Sequence, residues 1–187
     1  MASKRAKEAI EDPKEAYLYA RDVIKGRWCQ AELTIMKVPQ YAYYYHASCY
    51  ARDVIKGRWP EAEPYIMMEP EYAVVYARGV IKGRWPEAEP YIMKDLSAYG
   101  YARDVIKGRW PLAEPVIMKD PECAYWYAMD VIKGRWPEAE SCIMKDSWFA
   151  YNYAKDVIKG RWPEAESCIM KDPEYGGRYN DFLSTLR

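Results

Sequence analysis

Apolar residues recur along this chain at helical spacing, in short runs that break at the same motif each time. In residues 121–146, Ala124, Ala128, Val131 and Ile132 fall on one face of a helix, and Ala139, Cys142, Ile143 and Met144 form a second apolar set after the string Lys-Gly-Arg-Trp. The pattern predicts a helical hairpin. Asp120 is placed to cap its first helix and Pro121 to occupy the first turn, with Glu122 beside the positive end of the dipole. Gly134 is the residue expected to take the left-handed conformation that ends this helix. Pro137 opens the second helix, Glu138 and Glu140 sit near its N-terminus in dipole and solubility roles, and Asp146 caps the next hairpin. Helices shorter than ~12–15 residues are marginal alone in water, so stability must come from stacking on neighbours.

The hairpin repeats. Lys-Gly-Arg-Trp occurs six times, with tryptophans at Trp28, Trp59, Trp85, Trp110, Trp136 and Trp162, at spacings of 31, 26, 25, 26 and 26 residues. The predicted fold is all-α: an α-solenoid of six tandem 26-residue helix-turn-helix repeats with N- and C-terminal capping helices, read as one repeat domain over residues 1–187. The units are an N-cap helix (1–12), repeats at 13–38, 39–69, 70–95, 96–120, 121–146 and 147–172, and a closing helix at 173–187, fourteen helices in all. The second repeat carries five extra residues, in PQYAYYYHASCYARDV. That is ~1.4 helical turns, which predicts a bulge, a kink or a longer first helix beside the sole histidine, His46.

Composition narrows the function classes. Lys and Arg together equal Asp and Glu, 28 against 28, which removes the general electrostatic argument for a nucleic-acid binder. Aromatic residues are lopsided, with Tyr 19 and Trp 8 against Phe 2, a choice that buries rings while keeping polar handles. The five cysteines (Cys29, Cys49, Cys123, Cys142 and Cys168) are an odd number without a CxxC pair and are read as reduced thiols in the cytoplasm. No apolar run reaches the ~20 residues of a membrane span, so no membrane partner is expected.

What differs among the units is more informative than what they share. Val-Ile-Lys-Gly-Arg-Trp is unchanged in all six copies, and alanines four apart, such as Ala73 with Ala77 or Ala150 with Ala154, recur in most copies; these residues build the scaffold. One first-helix position is different in every copy: Leu18, Cys49, Val75, Gly100, Trp126, Asn152 and Arg178. Tyr72, Ser97, Cys123, Phe149 and Tyr175 lie three residues earlier, preceded by Glu71, Leu96, Glu122 and Trp148. Arg21, Arg52, Arg78, Arg103, Met129 and Lys155 continue the stripe three residues later. One reading is an exposed stripe that tolerates any residue. The other is a partner-binding stripe centred on Leu18, Cys49, Tyr72, Val75, Gly100, Trp126, Trp148, Phe149, Asn152 and Arg178, and the apolar and aromatic members favour it.

Catalytic chemistry is sparse. One histidine leaves no Ser–His–Asp arrangement or multi-histidine metal site, and Lys-Gly-Arg lacks the phosphate-loop framework. His46 and Cys49, three residues apart, form the one conceivable nucleophile pair, against the simpler reading of an inert thiol. No catalytic residue, metal or cofactor is expected. A row of Lys56, Arg58, Lys82, Arg84, Lys107, Arg109, Lys133 and Arg135 offers an alternative nucleic-acid contact, but acidic residues follow most of these turns and the variable position is poor in hydrogen-bonding side chains.

The consensus AYxYARDVIKGRWPEAEPYIMKDPE resembles a short helical repeat of proteins encoded by large tailed bacteriophages, with VIKGRWPEAE its most specific segment. The resemblance covers nearly the whole chain. It implies a viral protein in the host cytoplasm and carries over no catalytic residue. The chain is more distantly similar to tetratricopeptide and leucine-rich-variant solenoids, whose full motifs a 26-residue period does not match. The function expected is that of a protein–protein interaction module acting on a host protein, with an RNA- or ssDNA-binding solenoid and a self-assembling structural repeat as alternatives.

Overall fold

A computed structural model describes residues 4–36 and 41–186, the side chains of 41–44 excepted. Among the described residues there are fourteen α-helices and no strand. The predicted junction between residues 38 and 39 lies outside them, as do residues 1–3 and 187.

The chain folds as two compact units, Met1–Ile92 and Met93–Arg187. The first contains α1 (Lys4–Ala9), α2 (Pro13–Tyr19), α3 (Cys29–Met36), α4 (Tyr41–Tyr50), α5 (Glu63–Ile66), α6 (Pro70–Tyr76) and α7 (Glu89–Ile92). The second contains α8 (Ala98–Tyr101), α9 (Glu114–Ile117), α10 (Pro121–Tyr127), α11 (Pro137–Ile143), α12 (Ser147–Asn152), α13 (Glu166–Ile169) and α14 (Pro173–Thr185). Helix α1 is the cap, six pairs form the hairpins and α14 closes the series. Inside each unit a first helix packs on its own second helix and on the next first helix, the tandem arrangement of an α-solenoid.

Local signals set the starts. The Asp120 carboxylate accepts from the Cys123 N–H at 2.8 Å, Asp146 accepts from Trp148 and Phe149, and prolines stand in the first turns of α2, α6, α10 and α14. The alanine pairs, including Ala124 with Ala128, are fully buried and let the helix backbones approach closely. Tyr50, Tyr76, Tyr127 and Tyr153 are also buried, each ring about 5 Å from the tryptophan of its own hairpin, as in Tyr127 with Trp136 at 4.9 Å.

The ends of the first helices differ from expectation. Each finishes in a π turn, such as Ala128–Ile132, whose closing bonds run from both Lys133 and Gly134 N–H groups to the Ala128 carbonyl. The left-handed residue is the lysine and not the glycine: Lys25, Lys56, Lys82, Lys107, Lys133 and Lys159 all have φ between 57° and 60°, while none of the described glycines has a positive φ. Gly134 therefore does not supply the helix stop. The wide turn also carries Val131 and Ile132 off the apolar face, and both are half-buried rather than core.

The insertion lengthens a helix. Helix α4 has 10 residues against 7 in α2, and Ala47, Tyr50 and Ala51 remain buried, so the extra residues are taken up before the core register begins. At the other end α14 runs 13 residues without a π turn, with Phe182 and Leu183 half-buried where the repeats carry Asp-Val.

Candidate interaction surface

The Arg-Trp-x-x-Ala-Glu segment forms a clasp between successive hairpins. Arg109 donates from Nε and Nη2 to the two oxygens of Glu114, both at 2.8 Å. Tyr127 of the next hairpin donates its hydroxyl to Glu114 at 3.0 Å and accepts the Trp110 backbone N–H at 2.7 Å. The same four-part contact joins Arg58, Glu63, Trp59 and Tyr76, and Arg27, Glu32, Trp28 and Tyr50. Each carboxylate gains a bidentate cation and a phenol, so its burial is compensated. The guanidiniums hold Glu32 and Glu114 below the usual carboxylate range, and burial pushes the Tyr50 and Tyr127 phenols up to about 12.

Glu63, Glu114 and Glu140 are thus inter-repeat fasteners and not the solubilising groups that their place near a helix N-terminus implies, and Glu89 is paired within its own hairpin. Arg58, Arg84, Arg109 and Arg135 are their partners. Lys56, Lys82, Lys107 and Lys133 are exposed, and none of these ammonium groups makes an ion pair among the described residues.

A second ladder runs along the first helices. The Tyr17 hydroxyl donates to Asp53 at 2.7 Å and Tyr99 donates to Asp130 at 2.7 Å, each reaching from one hairpin to the next. Arg21 and Arg103 lie over the rings of Tyr17 and Tyr99 at 5.1 and 5.0 Å. In the fifth hairpin Met129 stands at the arginine position, and Tyr125 contacts Met129 Sδ at 3.3 Å and Asp156 at 3.2 Å.

The variable positions are mostly half-buried rather than solvated. Leu18, Val75, Gly100, Trp126 and Asn152 fall in that class, Cys49 is buried and Arg178 is exposed, bridged to Glu174 at 2.7 Å. The Asn152 amide turns back onto the Trp148 carbonyl at 2.8 Å. Tyr72 is half-buried on α6.

Three of these residues come together. Trp126, Trp148 and Phe149 are half-buried around the buried ring of Tyr125, with centroids 4.8, 5.9 and 5.9 Å from it. Trp148 and Phe149 meet edge to face at 4.8 Å. The four rings span α10 and α12, and the absent arginine leaves the Tyr125 face to them. Tyr125 itself escapes notice in the sequence because a tyrosine stands there in most units; the replacement of arginine by Met129 is the signal that marks this hairpin.

The His46 and Cys49 pair has no activated thiol. Cys49 is buried, and desolvation pushes its thiol up despite Arg52 Nη2 at 3.6 Å, while burial holds His46 below its ordinary value. All five cysteines are free. Among the described residues no three His, Cys, Asp or Glu side chains converge as metal ligands, and no helix is long and apolar enough to cross a membrane.

No known protein family, curated protein or solved structure matches this chain.

Proposed function

We propose that this chain is a protein-binding repeat scaffold rather than an enzyme, and that its principal contact is the ring cluster of Trp126, Trp148 and Phe149 around Tyr125. The observation that carries this reading is the clustering itself. Large aromatic rings held half in solvent on two packed helices provide apolar contact area with little conformational entropy to lose, the composition of binding hot spots. The rest of the scaffold is fastened by the Tyr–Glu–Arg clasps, so the patch sits on ordered helices. Pairing of the Lys-Gly-Arg arginines with glutamates weighs against the nucleic-acid alternative, because half of the basic row is already neutralised. The phage-type repeat makes a host cytoplasmic protein the partner class.

The test compares material captured from bacterial lysate by the wild-type chain and by a Trp126→Ala, Trp148→Ala variant with an unchanged circular dichroism spectrum. A protein retained by the first and lost by the second supports the reading. Equal capture by both, or nuclease-sensitive nucleic acid as the sole retained material, overturns it.

A further inference from the structure

Each first helix ends on a lysine where backbone energetics prefer glycine. Lys107, Lys133 and Lys159 of the second unit have φ of 58°, 58° and 57°, in the left-handed region that side chains other than those of Gly, Asn and Asp disfavour. The neighbouring Gly108 and Gly134 have no positive φ, and a Cβ added to either would meet nothing within 4 Å. Lysine and glycine are thus each on the wrong side of the turn for stability. Strain of this kind persists where a side chain is needed at that point in space.

The surroundings say what the lysines face. The π turns Ala102–Ile106, Ala128–Ile132 and Tyr153–Ile158 each pack on the next in the series. Between the first two lies a cleft of about 240 Å³ lined by Arg103, Lys107, Gly108, Asp130, Val131 and Lys133. An equivalent cleft of about 260 Å³ between the next two is lined by Met129, Lys133, Gly134, Asp156, Val157 and Lys159. Both fall below the ~300–1,000 Å³ of small-molecule pockets and suit single side chains. Asp130 accepts from Tyr99 and lies 3.9 Å from Arg103, and Asp156 accepts from Tyr125 and pairs with Lys155, so the cations lining each cleft outnumber its one carboxylate. Met129, three residues after Trp126, joins the second cleft to the ring cluster.

We infer that these two clefts receive carboxylate side chains of an extended acidic polypeptide segment that crosses the ends of the first helices. The inference rests on the reading of this unit as a protein-binding surface and names the chemistry of the partner. Charge spacing selects the occupant. Packed helices lie ~8–10 Å apart, so the lysines recur at about the rise of three residues of extended chain at roughly 3.3 Å each. A nucleic-acid strand carries a charge about every 3.4 Å and would leave most of its phosphates without a partner. An acidic residue at every third position meets one lysine each.

The experiment is fluorescence anisotropy of the full chain with a labelled (Glu-Gly-Ser) repeat peptide, its (Gln-Gly-Ser) counterpart and an oligothymidylate of equal length. The Glu peptide is expected to bind about ten-fold tighter than the Gln peptide, from three partly exposed ion pairs. A Lys107→Gly, Lys133→Gly, Lys159→Gly variant, in which glycine suits the backbone, is expected to stay folded and to lose that preference. Equal binding of the two peptides overturns the inference, as does a preference that survives the triple variant or tighter, lysine-dependent binding of the oligothymidylate. The Trp126→Ala, Trp148→Ala variant separates this result from the scaffold reading: capture that depends on the rings and not on the lysines leaves that reading standing and removes this one.

Discussion

The Tyr127 hydroxyl donates to the Glu114 carboxylate at 3.0 Å, across the junction between two hairpins, while accepting the Trp110 N–H at 2.7 Å. One buried phenol therefore satisfies a carboxylate and a backbone donor of the preceding repeat, and its ring packs on the tryptophan of its own repeat. Such short helices lack intrinsic stability. These contacts, repeated at junctions inside each unit, tie its helices into a stack.

Replacing Tyr127 by Phe keeps the ring and removes the hydroxyl, leaving the Trp110 N–H without its acceptor in a buried setting. A loss of about 1–3 kcal/mol is expected in urea unfolding. The exposed Tyr65 serves as the control, and Tyr65→Phe is expected to leave the midpoint unchanged.

Exchange at the helix stops gives the opposite sign. Lys133→Gly relieves a left-handed residue and is expected to raise stability by about 1 kcal/mol. Gly134→Ala meets open space at a non-positive φ and is expected to be neutral or to add up to about 1 kcal/mol through the unfolded chain. A thermal melt in which Lys133→Gly destabilises would remove the strain argument.

The clasps predict losses at both ends of the pH range. Arg27 and Arg109 hold Glu32 and Glu114 below the ordinary 4.5, so their contribution is complete above that value and lost as pH falls through the depressed one. Burial raises Tyr50 and Tyr127 from 10.0 to about 12, so the unfolded chain ionises first and stability falls as pH rises between those values. Urea midpoints measured across pH should show both limbs, with Glu114→Gln flattening the acid one and Tyr127→Phe the alkaline one.

Tryptophans of the two environments should separate cleanly. Trp136 is 1% exposed, and Trp136→Ala is expected to cost about 3–5 kcal/mol through the cavity left behind. Trp126 is half-buried at the surface, and Trp126→Ala is expected to stay within about 1 kcal/mol by the same chemical denaturation.

The sequence by itself determined the all-helical class, the repeat, the number of helices and the starts of the capped first helices, because these depend on contacts within a turn or two; most second helices begin three residues after the proline expected to open them. Asp120 caps α10 through the Cys123 N–H, three residues on, and the buried alanines keep their helical spacing. The long-range decisions belong to the tertiary structure. Glu114 reads as a solvated residue near a helix start until Tyr127, thirteen positions away, packs over it. Trp126, Trp148 and Phe149 form one patch only because α10 and α12 lie side by side around Tyr125. At the end of α10 the π turn moves the left-handed residue from Gly134 to Lys133 and takes Val131 out of the core to a half-buried position. Helical periodicity assumes a uniform turn, and a local widening of that turn rotates every side chain beyond it. Which faces then meet is set by the stacking of whole hairpins, information that no single 26-residue unit contains.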